Sequence, residues 1–393
     1  MNKLIRITTI PLSLEKLLEG QLNFMQDYYK VIAVSSEEKK LKKLGSIIGV
    51  DTYSVEMTRE ITPDKDFRSV LKLYKFFRKE KPLIVHTHTP KAGIAGMIAA
   101  KLAGVPIRLH TVAGLPLLEA RGMKRKILEI VEKITFSCAT RVYPNSQKIC
   151  EYLVEEGFAS KNKFKVIGKG SSNGIDTTYF DPSKYSGETK LKQRESLNIP
   201  EEDLVFVFVG RLVKDKGIEE LVDAFEEINS EFNNTSLILV GPYESDLDPL
   251  SNSALEKIKV HSKIREVGYQ DDVRPFLACS DILAFPSYRE GFPNVVMQAG
   301  AMGLPSIVTN INGCNEIIQE GVNGSIIPVR DEAALYDAMK VLILNENKRE
   351  SMKSEARKMI KDNYDRGLIW KALIAEYRSL EKEHISPVLS ETI

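Results

Sequence analysis

Two segments in the C-terminal half of the sequence combine cations, a carboxylate and glycines in a way that suits a phosphorylated sugar. The first segment, residues 210–217 (Gly-Arg-Leu-Val-Lys-Asp-Lys-Gly), follows an apolar run and precedes a helical pattern. Gly210 and Gly217 would let the backbone approach a ligand closely, and Arg211 and Lys216 would place two cations at the rim. A guanidinium fork and a lysine point charge together suit a diphosphate. The alternative is an ordinary solvated loop between a strand and a helix.

The second segment, residues 286–298, predicts a helix start that could bind an anion. Gly291 gives a tight turn, and Pro293 falls where the first helical residue is expected. The free N–H groups of Asn294 and Val295 would then point out of the helix N-terminus, where anions bind.

Glu290 precedes this turn, and its charge would repel a phosphate. The carboxylate makes sense if it accepts hydrogen bonds from sugar hydroxyl groups, and Gln298, further along the same helix, could reach another hydroxyl. The alternative is a surface glutamate that the helix dipole favours.

Other phosphate-binding motifs are missing from the sequence. No Gly-x-Gly-x-x-Gly turn follows an early strand, and there is no Gly-Lys-Ser/Thr phosphate loop. Dehydrogenases and phosphate-loop kinases are therefore disfavoured. Residues 303–324 contain a small-residue loop that could offer backbone amides to a sugar phosphate or be only a turn.

Strand ends must position these segments. Apolar and β-branched runs alternate with helical patterns along all 393 residues, which predicts an α/β fold with mostly parallel sheets covered on both faces. The predicted strands of the first half are 4–10, 29–35, 83–87, 107–111, 141–143 and 164–167, with helices over 66–79 and 124–135. Those of the second half are 205–209, 236–240, 264–267, 282–285, 306–309 and 325–328. Ligands bind beyond the carboxyl ends of such strands, so two domains of this kind are expected to face each other across a cleft.

The length predicts two or three domains. The polar stretch 181–194 is the weakest link along the chain. We therefore predict an N-terminal domain over residues 1–186, a C-terminal domain over 187–365 and a helical segment over 366–393.

Charge divides unevenly between the two halves. Residues 1–186 contain 31 Lys and Arg against 19 Asp and Glu, a net charge of +12, while the remaining residues carry −11. The first half is expected to meet nucleic acid, phospholipid or a phosphorylated substrate, unless the two domains only complement each other's charge.

Sequence features also indicate a compartment. The four cysteines lack disulfide or zinc-ligand spacing, and no uncharged apolar run approaches the length needed to cross a bilayer. The N-terminus reads as a first strand without a cleavage site for a signal peptide. We predict a reduced, cytoplasmic protein.

Taken together, the motifs resemble glycosyltransferase family 4, retaining enzymes of the GT-B fold. The C-terminal matches are Gly-Arg-Leu…Lys-Gly, Phe-Pro-Ser…Glu-Gly-Phe-Pro, Ala-Met-Gly-Leu-Pro and Asn-Glu-Ile-Ile…Gly-x-Asn-Gly, in the family's order. The N-terminal half is similar to the capsular-polysaccharide and lipid-linked-oligosaccharide branch at residues 85–93, 111–116 and 173–182. The resemblance implies two Rossmann-like domains, an acceptor-binding one and a nucleotide-sugar-binding one, with a C-terminal helix that crosses back to the N-terminal domain.

The resemblance implies roles for individual residues. Arg211 and Lys216 match the pair that binds the donor diphosphate, and Glu290 matches the first carboxylate of the family's Glu-x7-Glu pattern, which contacts the transferred sugar. The second position of that pattern, which typically bonds the nucleotide ribose, is Gln298 here. The rest of the expected donor site is Gly210, Gly291, Phe292, Asn294 and Val295.

A second departure concerns a histidine of this branch. The histidine of its Thr-Val-His-Gly motif is replaced here by Ala113, and His110 lies three residues earlier. His110 could substitute for it in catalysis, or it could be a strand-end histidine with no catalytic part.

Two patterns resemble metal ligands, and we predict no metal site at either. His86 and His88 share a face of a strand end but lack a neighbouring carboxylate or cysteine, so they are expected to be loop or substrate-contact residues. Asp246-x-Asp248 matches a motif of metal-dependent glycosyltransferases, but it lies apart from the motifs above. The family resemblance implies metal independence.

The implied function is transfer of a sugar, for which an N-acetylhexosamine is one candidate in this branch, from a UDP-sugar to an undecaprenyl-diphosphate-linked or polysaccharide acceptor, with no further cofactor and no nucleic acid. Peripheral contact with the anionic inner face of the cell membrane is predicted through residues 115–118 and the basic cluster Arg121, Lys124, Arg125 and Lys126, whereas 127–134 is expected to pack on the sheet. The alternatives are a nucleotide-sugar 2-epimerase of the same architecture and a non-catalytic two-domain sugar-binding protein.

Overall fold

The chain forms two compact units. The computed structural model describes residues 1–58, 62–118, 120–244 and 248–390, which we call the described residues. The first unit comprises Met1–Asn173 together with Gly367–Ile393, and the second comprises Gly174–Arg366.

Strands and helices alternate in both units. The elements of the first unit are β1 (Lys3–Ile7), α1 (Pro11–Leu17), α2 (Gln21–Gln26), β2 (Lys30–Ser35), α3 (Glu38–Ile48), β3 (Asp51–Ser54), α4 (Pro63–Glu80), β4 (Ile84–Thr87), α5 (Pro90–Leu102), β5 (Ile107–Val112), α6 (Gly122–Cys138), β6 (Arg141–Pro144) and α7 (Gln147–Glu155). Those of the second unit are α8 (Gly187–Ser196), β7 (Leu204–Val209), α9 (Ile218–Glu231), β8 (Thr235–Val240), α10 (Asn252–Val260), β9 (Ile264–Glu266), α11 (Arg274–Ala278), β10 (Ile282–Phe285), α12 (Asn294–Ala301), β11 (Ser306–Thr309), α13 (Cys314–Ile317), β12 (Gly324–Ile327), α14 (Glu332–Leu344) and α15 (Glu346–Tyr364). Helix α16 (Arg366–Ser390) follows.

The two sheets have the same strand order. The first runs β3-β2-β1-β4-β5-β6 and the second β9-β8-β7-β10-β11-β12, and every pairing is parallel. In each sheet the first strand lies between the second and the fourth, which is the doubly wound order with a switch point at the carboxyl ends of the first and fourth strands. The predicted α/β fold with parallel sheets is confirmed.

Burial explains why these apolar runs became strands. Strands β4, β8, β10 and β11 are buried along their whole length, as expected where helices cover both faces of a parallel sheet.

None of the described helices is long and apolar enough to cross a membrane. The four cysteines are free.

Helix α16 packs one apolar face on the first unit. Its residues Ile369, Leu373, Tyr377 and Leu380 recur every three or four positions and share a core with Leu4, Ile84 and Leu109. The predicted return of the C-terminal helix to the N-terminal domain is thereby accounted for by the spacing of its apolar residues.

One predicted strand is not formed, and one strand of the structure was not predicted. Residues 164–167 contribute only an isolated bridge between Val142 and Phe164, because the chain pairs at one residue and then turns away. The sequence analysis missed β3, whose residues Asp51–Ser54 are mostly polar and pair only with β2 at the sheet edge.

The change from one unit to the other falls between Asn173 and Gly174, earlier than the predicted boundary after residue 186. The polar stretch 181–194 contains most of helix α8, which belongs to the second unit. Arg194 of this helix donates to the carbonyl of Cys279 and to Asp281, both at 2.9 Å. A polar composition therefore reflected a surface helix and not a linker.

The face of helix α6 that is buried differs from the one predicted from the sequence. Its buried residues are Glu132, Thr135, Phe136 and Cys138, and its exposed apolar residues are Met123, Ile127, Ile130 and Ile134. Leu115 and Leu117, which were expected to be exposed, are buried; the side chain of Leu118 lies outside the described residues. The prediction was wrong because Phe136 and Cys138 join the core of the first unit, together with the buried Glu132 and Thr135, while the isoleucines remain exposed.

Glu132 generates a prediction about stability. Burial raises the pKa of this carboxyl from 4.5 to about 7, so the folded state binds a proton more tightly than the unfolded chain. Stability from this group is present below pH 4.5 and is lost as the pH rises through about 7, by about 3 kcal/mol in total. The free energy of unfolding of Glu132→Gln, relative to the parent protein, should therefore increase from pH 4.5 to 7.5 in urea titrations. The exposed Glu202→Gln should show no such trend, and a flat difference for Glu132→Gln would contradict the assignment.

Candidate functional site

The two segments predicted to bind a ligand, residues 210–217 and 286–298, lie at the switch point of the sheet of the second unit. Residues 210–217 follow β7 and lead into α9, while residues 286–293 follow β10 and lead into α12. Strands β7 and β10 are neighbours, so the fold brings both loops to the same edge. The Tyr288 amide donates to the Asp215 carbonyl at 2.8 Å, which joins them directly.

Gly217 is required by this close approach. Its φ is +68°, in the left-handed region, and a Cβ built there would lie 2.2 Å from the carbonyl oxygen of Pro286. Any side chain would therefore push the two loops apart.

Lys216 and Glu290 form an ion pair at the centre of the site. Lys216 Nζ lies 2.5 Å from Glu290 Oε1, and the two side chains are only 13% and 18% exposed. The Ser287 hydroxyl donates to the same carboxylate oxygen at 3.2 Å. A partly buried pair of this kind holds both groups in one geometry, and removal of either leaves the other charge without compensation.

Arg211 is held by a carboxylate that the sequence analysis missed. Its Nη1 donates to Glu244, which follows β8, and both side chains are about one-third exposed. Arg211 and Lys216, the two residues predicted to bind a diphosphate, thus each already pair with a carboxylate. A ligand anion must share these cations or replace the carboxylates.

Arg289 and Asp248 support the loop through its residue Asp215, and neither contact was predicted from the sequence. Asp215 accepts from the guanidinium of Arg289 at 2.6 and 2.9 Å. The backbone N–H of Asp215 donates to Asp248 Oδ2 at 2.7 Å. Asp248 therefore supports the loop, while Asp246 of the same Asp-x-Asp triplet lies outside the described residues. Among the described residues, no three His, Cys, Asp or Glu side chains come together in a way that could hold a metal ion.

Helix α12 begins beside the ion pair. It starts at Asn294 with Pro293 as its N-cap, one residue later than the sequence predicts. The N–H groups of its first turn have no acceptor within the helix, and its dipole adds positive potential there. Gln298 lies one turn along and is half-buried, Phe292 packs against the ring of Tyr364, and Val295 is partly buried.

The small-residue loop after β11 serves as a support for this turn. The Asn312 amide donates to the carbonyl of Gly291, and the Thr309 hydroxyl donates to the carbonyl of Ser287. These two side-chain contacts are structural, and binding of a sugar phosphate by the backbone amides of the loop stays a prediction.

His110 lies in the first unit, near the carboxyl end of β5 and opposite Thr87, the last residue of β4. It is 2% exposed, its Nδ1 is 2.8 Å from the Thr87 hydroxyl, and burial lowers its pKa to about 4. A Cβ on Gly93 would lie 2.5 Å from its ring, so helix α5 covers it closely. These contacts favour the strand-end alternative over a catalytic part, while Ala113 is half-buried just beyond β5.

Each half of the chain matches a known protein-family model. Residues 189–359 match the family model described as glycosyl transferases group 1, and residues 42–170 match the glycosyl transferase 4-like domain. A glycosyltransferase from Rickettsia africae has the same fold with a TM-score of 0.82 at 19% identity, covering 97% of this chain and 99% of that one. Anabaena HepE, solved in complex with UDP and glucose, gives a TM-score of 0.79 at 19% identity, covering 96% of this chain and 100% of HepE. The fold is therefore GT-B.

Two curated relatives are more similar in sequence. The Staphylococcus aureus capsular polysaccharide biosynthesis glycosyltransferase CapM is 33% identical over 383 residues, which is 97% of this chain and 98% of CapM. An Escherichia coli UDP-Gal:α-D-GlcNAc-diphosphoundecaprenol α-1,3-galactosyltransferase is 32% identical over 72% of each chain. The chain therefore belongs to glycosyltransferase family 4, in the branch of the capsular-polysaccharide and lipid-linked-oligosaccharide glycosyltransferases.

Proposed function

We propose that the protein transfers a sugar from a UDP-sugar to a lipid-linked or polysaccharide acceptor in cell-surface polysaccharide synthesis, with retention of anomeric configuration. The single observation that carries this proposal is the Lys216–Glu290 pair, which places a cation and a sugar-binding carboxylate 2.5 Å apart at the switch point of the second sheet. Relatives named for UDP-galactose and diphosphoundecaprenol chemistry, and a neighbour solved with UDP and glucose, support the choice of donor and acceptor.

The charges around the pair suit a diphosphate next to a sugar. Lys216 has three N–H donors; one engages Glu290 and a longer one reaches Ser287 at 3.4 Å. The remaining donor is available for a phosphate oxygen without breaking the ion pair. The described bonds to the Glu290 carboxylate go to Oε1, which leaves Oε2 for a sugar hydroxyl.

The proposed reaction develops negative charge on the leaving diphosphate. The bond from the anomeric carbon to the β-phosphate oxygen breaks, and a new bond forms to the acceptor hydroxyl on the same face. The leaving phosphate takes the acceptor's proton and departs as UDP. Arg211, Lys216 and the first turn of α12 supply fixed positive potential where the charge develops, so no metal, further cofactor or protein base is invoked. The burial of His110 fits that scheme.

Helix α6 is the surface that we propose for peripheral membrane contact. Met123, Ile127, Ile130 and Ile134 recur at spacings of three and four residues and are 38–72% exposed. The lysines Lys124, Lys126 and Lys133 on the same helix are exposed as well. An apolar stripe flanked by cations suits an anionic lipid surface, and the net charge of +12 on residues 1–186 adds long-range attraction. An undecaprenyl-diphosphate acceptor would be presented at such a surface, on the cytoplasmic side where UDP-sugars are made.

Loss of either cation should slow transfer. Lys216→Ala and Arg211→Ala should each lower kcat by about 10²–10³-fold, the value of one charge-stabilising donor, in assays of UDP release from a panel of UDP-sugars. Lys214→Ala is the matched control. Lys214 lies on the same loop, but its side chain is half exposed, and its ion pair with Glu219 is long, at 4.0 Å. Wild-type turnover by a folded Lys216→Ala protein would exclude the proposed site. The same panel separates the alternatives, since an epimerase would give a new nucleotide sugar and a binding protein would release no UDP.

A substitution at Gln298 tests whether this residue contacts the ribose of the nucleotide. Its neutral amide offers one acceptor oxygen where a carboxylate offers two, and hydrogen bonds to charged groups are worth about 1.5–3 kcal/mol against about 1 for neutral ones. We expect Gln298→Glu to bind UDP more tightly in calorimetric titrations. Repulsion from Glu290 and the diphosphate opposes this gain, but we expect the ribose to lie far enough from both charges for the hydrogen bond to dominate. Equal affinities would mean that position 298 does not contact the ribose.

The membrane surface is tested by removing its apolar stripe. The double variant Ile127→Ser/Ile130→Ser should bind phosphatidylglycerol vesicles at least about tenfold more weakly, because full burial of one isoleucine is worth about 1.5–3 kcal/mol. Ile47→Ser is the control, since Ile47 is 73% exposed elsewhere on the first unit. Binding of the parent protein should fall with added salt and with neutral lipid. Vesicle binding that is unchanged in the double variant would rule out α6 as the docking surface.

A further inference from the structure

Arg6, on β1 of the first unit, is a fully buried cation whose hydrogen-bond partners are all neutral. Its Nε lies 3.0 Å from His88 Nε2, its Nη1 lies 3.3 Å from the Tyr377 hydroxyl, and its Nη2 contacts Gln21 Oε1. None of the ion pairs among the described residues involves Arg6. The guanidinium therefore determines how its neighbours are protonated.

The contact with Arg6 fixes the tautomer of His88. A guanidinium can only donate, so His88 Nε2 must accept and the ring proton must lie on Nδ1. Burial and the charge of Arg6 lower the pKa of His88 well below 6.5, so the ring is neutral. His88 Nδ1–H is a buried donor with no acceptor among the described residues.

The neighbouring histidine has the opposite tautomer. Tyr377 accepts from Arg6, so its hydroxyl proton is directed to His86 Nδ1. His86 Nε2–H then donates to the Thr111 hydroxyl at 2.7 Å. Both nitrogens of His86 are engaged, which makes this ring an internal reference for His88.

A cavity of about 20 Å³ lies where strands β4, β5 and β6 end, and His88, Asn145 and Ser172 are among the residues that line it. Each of the three carries a buried atom without a partner among the described residues: His88 Nδ1, Asn145 Oδ1 and Ser172 Oγ. The Asn145 amide nitrogen donates to the Ala113 carbonyl at 2.9 Å, which fixes Oδ1 as the unpaired acceptor. The cavity is thus bordered by one donor, one acceptor and one hydroxyl.

We propose that this cavity is a binding site for one hydroxyl oxygen, contributed either by a water molecule or by a sugar. A volume of this size holds one oxygen atom, and three polar partners are the usual number for a buried water. A hydroxyl accepts from His88 and donates to Asn145 or Ser172, whereas a carboxylate or phosphate oxygen would meet the Asn145 acceptor and a cation would meet the proton on His88 Nδ1. The site lies at the carboxyl edge of the sheet, where ligands of open α/β folds bind. The sugar as a source rests on the proposed function; the water does not.

Nuclear magnetic resonance of the ¹⁵N-labelled full-length protein tests the site at pH 7. We expect the His88 ring to show its proton on Nδ1 and cross-relaxation between that proton and water, and the His86 ring to show its proton on Nε2. A His88 proton on Nε2, or no water contact at His88 in the free protein, would overturn the proposal. This result does not depend on whether the protein transfers sugars.

A second measurement distinguishes the two sources. With a saturating short-chain prenyl-diphosphate N-acetylhexosamine, persistence of the water contact assigns a resident water, while its replacement by contacts to sugar protons assigns a substrate hydroxyl. Ser172→Val, which fills the cavity with two methyl groups, should abolish the water contact, and Ser46→Val on the exposed face of α3 should leave it intact. Retention of the water contact in Ser172→Val would exclude the cavity as its place.

Discussion

The position of the first strand in each sheet is the constraint on which the functional chemistry depends. Because β1 pairs with both β2 and β4, and β7 with both β8 and β10, the connections leave in opposite directions on either side of the first strand. A crevice opens at that point, at the carboxyl ends of the strands. In the second unit it holds Lys216 and Glu290, and in the first unit it holds Arg6 and His88.

The two units place cations at these crevices in different ways. In the second unit Arg211 and Lys216 pair with carboxylates that remain partly exposed, so an incoming anion can share or exchange partners at modest cost. In the first unit Arg6 is fully buried among neutral donors and acceptors, where a charge without an anion is expensive. Acceptor atoms of His88, Tyr377 and Gln21 offset part of this desolvation cost by accepting hydrogen bonds from Arg6. These bonds determine which ring nitrogen of His86 and of His88 carries the proton. One crevice is thereby suited to charge that changes during a reaction, and the other to a fixed polar framework.

The support of the loop after β7, residues 210–217, shows how much of a candidate site lies outside its motif residues. Gly217 allows the loop after β7 to contact the loop after β10, and Asp215 links Arg289, Tyr288 and Asp248. These contacts hold Lys216 and Glu290 at hydrogen-bond distance before any ligand arrives. Preorganisation of this kind lets a charge act on a developing transition state without further reorganisation.

The sequence by itself determined the α/β class, most strand positions and the places of the two loops after β7 and β10, because a buried parallel strand needs a continuous apolar run and a tight turn needs glycine at a defined place. The Gly-Arg…Lys-Gly and Glu-Gly-Phe-Pro motifs lie where they were predicted, beyond β7 and β10. Only the tertiary structure decided which face of α6 is buried, since its apolar residues lie on more than one face and Phe136, not the isoleucines, joins the core. It also decided that Arg211 meets Glu244, and that Arg6, His88 and Tyr377 meet although they lie far apart along the chain. Such contacts depend on which strands and helices become neighbours, and local residue patterns carry no information about that pairing.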